Sequence, residues 1–210
     1  MPGAVLFDLE GTVAFYEKRP SSVEATKIIR HAGIDVYYQE WEAARRFALF
    51  VEAPRCHLNS WKSFVQCIFE LLKIKANDEV INKIVDYYKQ NTIFSFFDDV
   101  SKIEMIPLKK ALVTSIPRFF FDYLDLNIFD AVVTGSETGM TKGNPLLLMK
   151  ALQFLEAEPR LSLMVGNDID CDILPAKEIG MQTLLMDRDN SSKVNDHKKI
   201  TTIEEVLRFL

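Results

Sequence analysis

The sequence predicts an α/β fold: a Rossmann-like parallel sheet of about five strands flanked by helices, with an all-helical cap domain. Three observations predict it. Short apolar runs of strand length recur along the chain: the run ahead of Asp8, then Lys110 to Thr114, Ala131 to Gly135, Leu161 to Gly166 and Gln182 to Met186. Helical patterns alternate with the later runs, as βαβ units of a parallel sheet require. Between the first run and the second lies a long stretch, from about Phe15 to Phe97, with helical periodicity and little strand signal.

The first run, Ala4-Val5-Leu6-Phe7, stops at Asp8 and is followed by Leu9, Glu10, Gly11 and Thr12. It reads as a buried strand whose end carries two carboxylates and a glycine that permits a tight turn. In the next stretch Ser22 to Ala32, Glu40 to Ala53, Ser60 to Ile74 and Asp78 to Gln90 read as helices, punctuated by Gly33, Pro54 and Asn77. This insertion is too long for one crossover, so residues 15–97 are expected to form a cap hinged over the sheet. Residues 1–14 and 98–210 then form the core. Past the third run, Pro145 to Leu155 follows Asn144 with Pro at a first-turn position. Asp172 to Ile179 ends at Gly180, a C-terminal stop. Thr202 to Leu210 closes the chain behind a capping-box pattern at Thr201 or Thr202.

Composition limits what such a chain does. Hydrophobic residues are 48% and charged residues 26% of 210 positions, the range of a globular protein rather than a disordered one. The net charge is −5 with no basic stripe, which removes the electrostatic ground for nucleic-acid binding. An anionic substrate therefore needs a locally positive site or a bound cation. Cys56, Cys67 and Cys171 are odd in number and far apart, which suits free thiols in a reducing compartment better than disulfides or zinc. No basic region precedes the first apolar run, and no apolar run approaches the ~20 residues of a membrane span. A soluble cytoplasmic protein without nucleic-acid or membrane partners is expected.

Four strand-end segments carry candidate chemistry, because ligands of open α/β sheets bind at the carboxyl ends of strands. Asp8 is a candidate covalent nucleophile and Glu10 a candidate proton shuttle. Thr114 and Ser115 end the second run, where a hydroxyl and the backbone N–H groups behind it hold a phosphoryl oxygen. Lys142, in Thr141-Lys142-Gly143-Asn144-Pro145, is placed to neutralise an attacking carboxylate or a phosphoryl group. After Gly166 come Asn167, Asp168, Asp170 and Asp172. Acids clustered at a strand end repel one another unless solvated or holding a cation, and an oxygen-only set suits Mg²⁺. Asp170 is expected to face solvent.

Taken in order, these segments resemble the haloacid dehalogenase-like (HAD) hydrolase superfamily, whose members are mostly phosphatases. The resemblance covers the sheet portion; the helical insertion matches the family's cap in position and type. It implies that Asp8 is the nucleophile that forms an aspartyl-phosphate. Glu10 is then the acid/base, whose carbonyl also contacts Mg²⁺. Thr114, with the neighbouring Ser115, binds phosphate, Lys142 is the third-motif lysine, and the acids after Gly166 belong to the metal site. Two positions depart from the pattern. The family's second acid is usually Asp and here is Glu10, as in a branch resembling enolase-phosphatases. Retaining an acid argues against the metal-free dehalogenase branch. The fourth motif reads Gly166-Asn167-Asp168 where Gly-Asp is usual. Asp168 is the expected ligand, with Asn167 and Asp172 as alternatives. The implied activity is Mg²⁺-dependent hydrolysis of a small phosphomonoester. A 2-haloacid dehalogenase and a silent phosphometabolite binder are the other readings, and monomer and homodimer both stay open. In the cap, Arg45, Arg46, Arg55 and His57 are candidate pocket residues, Trp41 and Trp61 are expected to be cap core, and the adjacent Arg45 and Arg46 are expected to face different ways.

Overall fold

The computed structural model describes residues 2–194 and 196–210. Met1, with which the expected core segment begins, lies outside them. Strand β1 (Ala4–Phe7) is followed by β2 (Ala14–Lys18) and then by helices α1 (Ser22–His31) and α2 (Tyr38–Phe47). A π-helical turn, Ala48–Glu52, leads into the short α3 (Ala53–Arg55), then α4 (Trp61–Leu71) and α5 (Asp78–Asn91). The chain returns through β3 (Ile93–Phe96) to β4 (Lys109–Thr114), β5 (Ala131–Thr134) and α6 (Gly135–Thr138). It ends with α7 (Pro145–Leu155), β6 (Leu163–Gly166), α8 (Leu174–Glu178), β7 (Gln182–Met186) and β8 (Lys199–Ile200).

The main sheet has six strands in the order β5-β4-β1-β6-β7-β8. Every neighbouring pair in it is parallel. The sequence expectation of about five strands falls one short, because β8 is only two residues long and carries too little signal to read. The central strand β1 is apolar without interruption, as a strand covered on both faces must be, and all four of its residues are fully buried. Its side chains alternate between two cores. Ala4 and Leu6 point into a cluster with Leu147, Leu148 and Leu152 of α7 and with Ala176 of α8. Val5 and Phe7 point into a second cluster that continues without a break into the helical insertion, through Trp41, Phe64, Ile68 and Tyr88.

The insertion is not wholly helical. It leaves and re-enters the sheet through an antiparallel ribbon, β2 with β3, in which Ala14 faces Phe96 and Tyr16 faces Phe94. The Tyr16 and Phe94 rings lie 4.0 Å apart, a cross-strand aromatic pair. At the foot of the ribbon Phe97 N donates to Val13 O at 3.1 Å. Trp61 joins insertion to core, its ring 4.4 Å from Phe120 and 5.1 Å from Phe119. Trp41 Nε1 donates to the Tyr88 hydroxyl at 2.7 Å, so the indole is buried with its one donor satisfied. Both tryptophans are core, as the sequence suggests.

Arg188, just past β7, grips both crossings between core and insertion. Its Nη1 meets Asp99 at 2.7 Å and its Nη2 donates to the Thr12 carbonyl at 2.5 Å. The guanidinium also lies 4.2 Å from the Phe97 ring centroid, a cation–π contact. Two expected helices begin or end differently. Glu40–Ala53 is interrupted by the π turn at Ala48–Glu52, and Pro54 sits inside the first turn of α3 instead of ending a helix. The segment after β6 enters α8 through a second π turn, Ile169–Ile173. The C-terminal segment is a tighter 3₁₀ helix, Ile203–Phe209, with Thr202 and Glu205 forming the capping box. Among the described residues no helix is long and apolar enough to cross a membrane.

Candidate active site

The carboxyl ends of β1, β4 and β6 lie side by side at the middle of the sheet, and the expected site residues are mounted there. Asp8 follows β1, Thr114 ends β4, and Asn167 follows Gly166 at the end of β6. Lys142 reaches in from the loop between α6 and α7. The nucleophile candidate is fixed from behind, since Asp8 N donates to Val165 O at 3.0 Å. The whole residue is 3% exposed.

Lys142 is the electrostatic centre. Its ammonium pairs with Asp8 Oδ1 and, at 2.5 Å, with Asp172 Oδ1. Burial by itself would strip this lysine of its proton, but Asp8 and Asp172 outweigh burial and raise its pKa, so it stays charged. Asp172 is fully buried beneath the cleft. Burial and then the like charge of Asp8 push its carboxyl up to about 7, with Lys142 opposing both. The Asp168 backbone N–H donates to Asp172 Oδ2 at 3.1 Å. The loop is held too, because Lys142 N donates to Ser115 Oγ at 2.9 Å. Gly166 is needed for this packing, since a Cβ there would lie 2.4 Å from the Asp172 carboxyl.

The other oxygen of Asp8 accepts from Thr12 Oγ1 at 3.2 Å. It also faces the Asn167 carboxamide. Oriented to suit its neighbours, Asn167 Nδ2 donates to Asp8 Oδ2 and to the Glu10 carbonyl, both at 3.1 Å. Turned over, the carboxamide oxygen joins those two, and three oxygens converge on one point. An oxygen-only set containing a carboxylate is what Mg²⁺ takes, so these residues fit that ion. Among the described residues no three His, Cys, Asp or Glu side chains cluster as metal ligands. The converging oxygens come instead from one carboxylate, one backbone carbonyl and one carboxamide.

Asp168, the ligand expected from sequence, is turned elsewhere. It is exposed, and its Oδ1 caps the following turn by accepting from Cys171 N at 2.9 Å. The Asn167 side chain, not Asp168, is therefore the one brought against Asp8 and Glu10. Gly11 makes that approach possible. Its φ is +81°, and a Cβ there would lie 2.3 Å from the Asn167 carboxamide. Gly33 has a similar φ of +79° with nothing within 4 Å of such a Cβ. Gly33→Ala is expected to cost only the left-handed strain of about 1–2 kcal/mol. Gly11→Ala should cost clearly more, and urea midpoints of the two variants at unchanged m-value would show the difference.

Glu10 faces the same cleft as Asp8, its side chain 41% exposed and paired with Arg19. Burial raises its pKa, Arg19 pulls the other way, and Asp8 adds to the rise. Arg19 also lies 4.3 Å from the Tyr16 ring centroid. Nothing in the sequence marks Arg19, because only the ribbon brings it back to Glu10. Thr114 Oγ1 accepts from Ile116 N at 3.1 Å, which leaves its proton free to donate.

Of the site residues expected from sequence, all but Asp172 border one cleft of about 880 Å³, walled on the insertion side by Phe15, Tyr16 and Phe50. Cys171 borders it too, but burial and Asp168 raise its pKa, away from thiolate chemistry. Arg45 and Arg46 both border a chamber next to it, Arg45 half-buried against Glu42 and Arg46 exposed. Arg55 pairs with Glu52 at the surface, and His57 Nδ1 bonds the Ser136 carbonyl at 2.8 Å.

A HAD-hydrolase-like family model matches residues 139–208. A glyceraldehyde 3-phosphate phosphatase from Methanothermobacter thermautotrophicus is 33% identical over 85 residues, 38% of this chain and 38% of that protein. The match thus spans well under two thirds of that relative. A phosphoglycolate phosphatase from Aquifex aeolicus is 25% identical over 192 residues, 86% of this chain and 83% of that protein. Among solved structures, a 2-haloacid dehalogenase from Pseudomonas syringae pv. Tomato DC3000 has a similar fold. It has a TM-score of 0.72 at 17% identity, covering 99% of this chain and 97% of that one.

Proposed function

We propose that this chain, which belongs to the haloacid dehalogenase-like hydrolases, is a Mg²⁺-dependent phosphatase. It hydrolyses a small phosphomonoester through an aspartyl-phosphate on Asp8. The observation that carries this reading is geometric: Asp8, paired with Lys142, shares one cleft with the Glu10 carboxyl, the Thr114 hydroxyl and Ser115. A nucleophile beside a carboxyl that can pass on a proton is what cleavage of a phosphate ester needs, because an alkoxide leaves only as its proton arrives.

The phosphoryl group rests against the Thr114 hydroxyl, the Ser115 amide and the Lys142 ammonium, whose charge lets anionic Asp8 approach an anionic group. A carboxylate oxygen of Asp8 forms the new bond to phosphorus as the ester P–O bond breaks, and the Glu10 proton goes to the departing oxygen. Glu10, now a carboxylate, takes a proton from water as that water's oxygen attacks phosphorus. The acyl-phosphate P–O bond breaks, Asp8 returns as carboxylate, and inorganic phosphate leaves. Asp172 orients Lys142 from below. Asp8, the Glu10 carbonyl and Asn167 would hold Mg²⁺, with Asp168 nearby, and the ion would supply charge neutralisation of the phosphoryl oxygens. The helical insertion serves as the cap that excludes bulk water. Three unpaired cysteines suit a cytoplasmic setting.

The test is hydrolysis of an aryl phosphate. Turnover is expected with Mg²⁺, is lost with excess chelator and returns on adding the metal back. Halide release from a 2-haloacid in chelator, with no phosphate release under any condition, would overturn the reading.

A further inference from the structure

The phosphatase chemistry leaves unused a second chamber of about 240 Å³ that adjoins the reaction cleft. The two share Glu10, Tyr16, Arg19, Phe50 and Ile116 as walls, so they lie against each other. Its place relative to the chemistry is informative. In an in-line displacement the leaving oxygen lies beside the acid that protonates it. The chamber beyond Glu10 therefore holds the leaving group, the organic part of the ester.

Its charge is unusual for a protein of net charge −5. Three guanidinium groups, Arg19, Arg45 and Arg46, line it against two carboxylates, Glu10 and Glu42. Arg45 is held in a fork on Glu42, at 2.9 Å through Nε and 2.7 Å through Nη2. Arg19 is paired with Glu10. Arg46 is exposed and has no ion-pair partner among the described residues. The π turn Ala48–Glu52 supports the same assignment. It follows the arginine-bearing helix directly and leaves Phe50 45% exposed on the wall of both chambers. Such turns recur where a helix presents side chains to a ligand.

Resting on the phosphatase reading, we infer that the substrate carries a second anionic group on its leaving part, a carboxylate or a second phosphate. Arg46 receives that group, and Arg45, preset by Glu42, flanks it. A guanidinium fork binds either anion through paired hydrogen bonds. Arg46 is thus a specificity-determining residue and takes no part in bond breaking.

The experiment compares kcat/KM for three esters of similar length: 2-phosphoglycolate, the neutral 2-hydroxyethyl phosphate and ethylene glycol bisphosphate. One or both dianionic-chain substrates are expected to exceed the neutral ester about tenfold or more, the scale of one hydrogen-bonded charge pair. Whichever exceeds it more identifies the second group. In Arg46→Gln that preference should fall about tenfold through KM, with kcat for the preferred ester kept. Arg46→Glu should reverse it toward phosphoethanolamine, whose chain is cationic. The inference is overturned if the neutral ester is hydrolysed as well as the charged ones, or if the preference survives both variants. Absence of turnover with every ester and with the aryl phosphate would overturn the phosphatase reading itself, and this inference with it.

Discussion

Asp8→Asn is expected to abolish turnover while the protein stays folded. The amide is nearly isosteric, yet its nitrogen and oxygen are very poor nucleophiles toward phosphorus. Loss of a covalent nucleophile in other hydrolases costs on the order of 10⁶ in kcat, and the same scale is expected here. Stability should survive because of the charge pattern. Lys142 lies between Asp8 and Asp172, one cation for two buried anions. Removing the Asp8 charge leaves a neutral pair, Lys142 with Asp172. The like-charge push of Asp8 on Asp172 disappears, so the Asp172 pKa should fall from about 7. Activity assays with urea melts of both proteins check the claim. Wild-type-like turnover in Asp8→Asn would remove Asp8 from the mechanism.

Lys142→Met is expected to damage activity and stability together. The methionine fills similar volume but leaves Asp8 and Asp172 facing each other without a cation. Breaking a buried pair by removing one partner costs about 3–5 kcal/mol. The pH dependence has a definite sign. In the variant the folded-state pKa of Asp172 rises further, because burial and Asp8 still push it up and Lys142 no longer opposes them. A carboxyl with a raised folded pKa loses stability as pH climbs above its unfolded value. Wild-type Asp172 is already pushed up to about 7, so the pH-dependent part of the deficit opens as pH climbs above 7 and is small below it. Urea midpoints at several pH values read this directly. A deficit independent of pH would show that lost packing, and not the buried carboxylates, is responsible. Activity should fall at least about a hundredfold, the cost of losing one preorganised charge-stabilising group.

How much of this was legible beforehand follows from range and period. β7 and α7 match their expected spans because each is an uninterrupted local pattern, with Asn144 and Pro145 marking the start of α7. The placement of Asp8, Thr114 and the Asn167 segment at strand ends follows from where apolar runs stop, whereas Lys142 reaches in from beyond α6. The β2–β3 ribbon was not legible, since Tyr16 finds Phe94 only after five helices, α1 to α5, have intervened. Arg19 was lost with it. The π turns leave no mark in a 3.6-residue period. At the fourth motif, adjacent Asn167 and Asp168 offered two registers. The choice is made by the backbone, which gives the Asp168 carboxylate to the Cys171 N–H and turns the carboxamide inward.

Arg188 gives the hinge a particular mechanical character. One side chain holds the outgoing segment at the Thr12 carbonyl and the returning segment at Asp99. Two separate tethers would let each connection flex alone. A shared clasp ties both connections to one guanidinium, so neither can part from the core without disturbing the contact that holds the other. Thr12 is also the residue whose hydroxyl touches Asp8, so the clasp and the nucleophile share one neighbour.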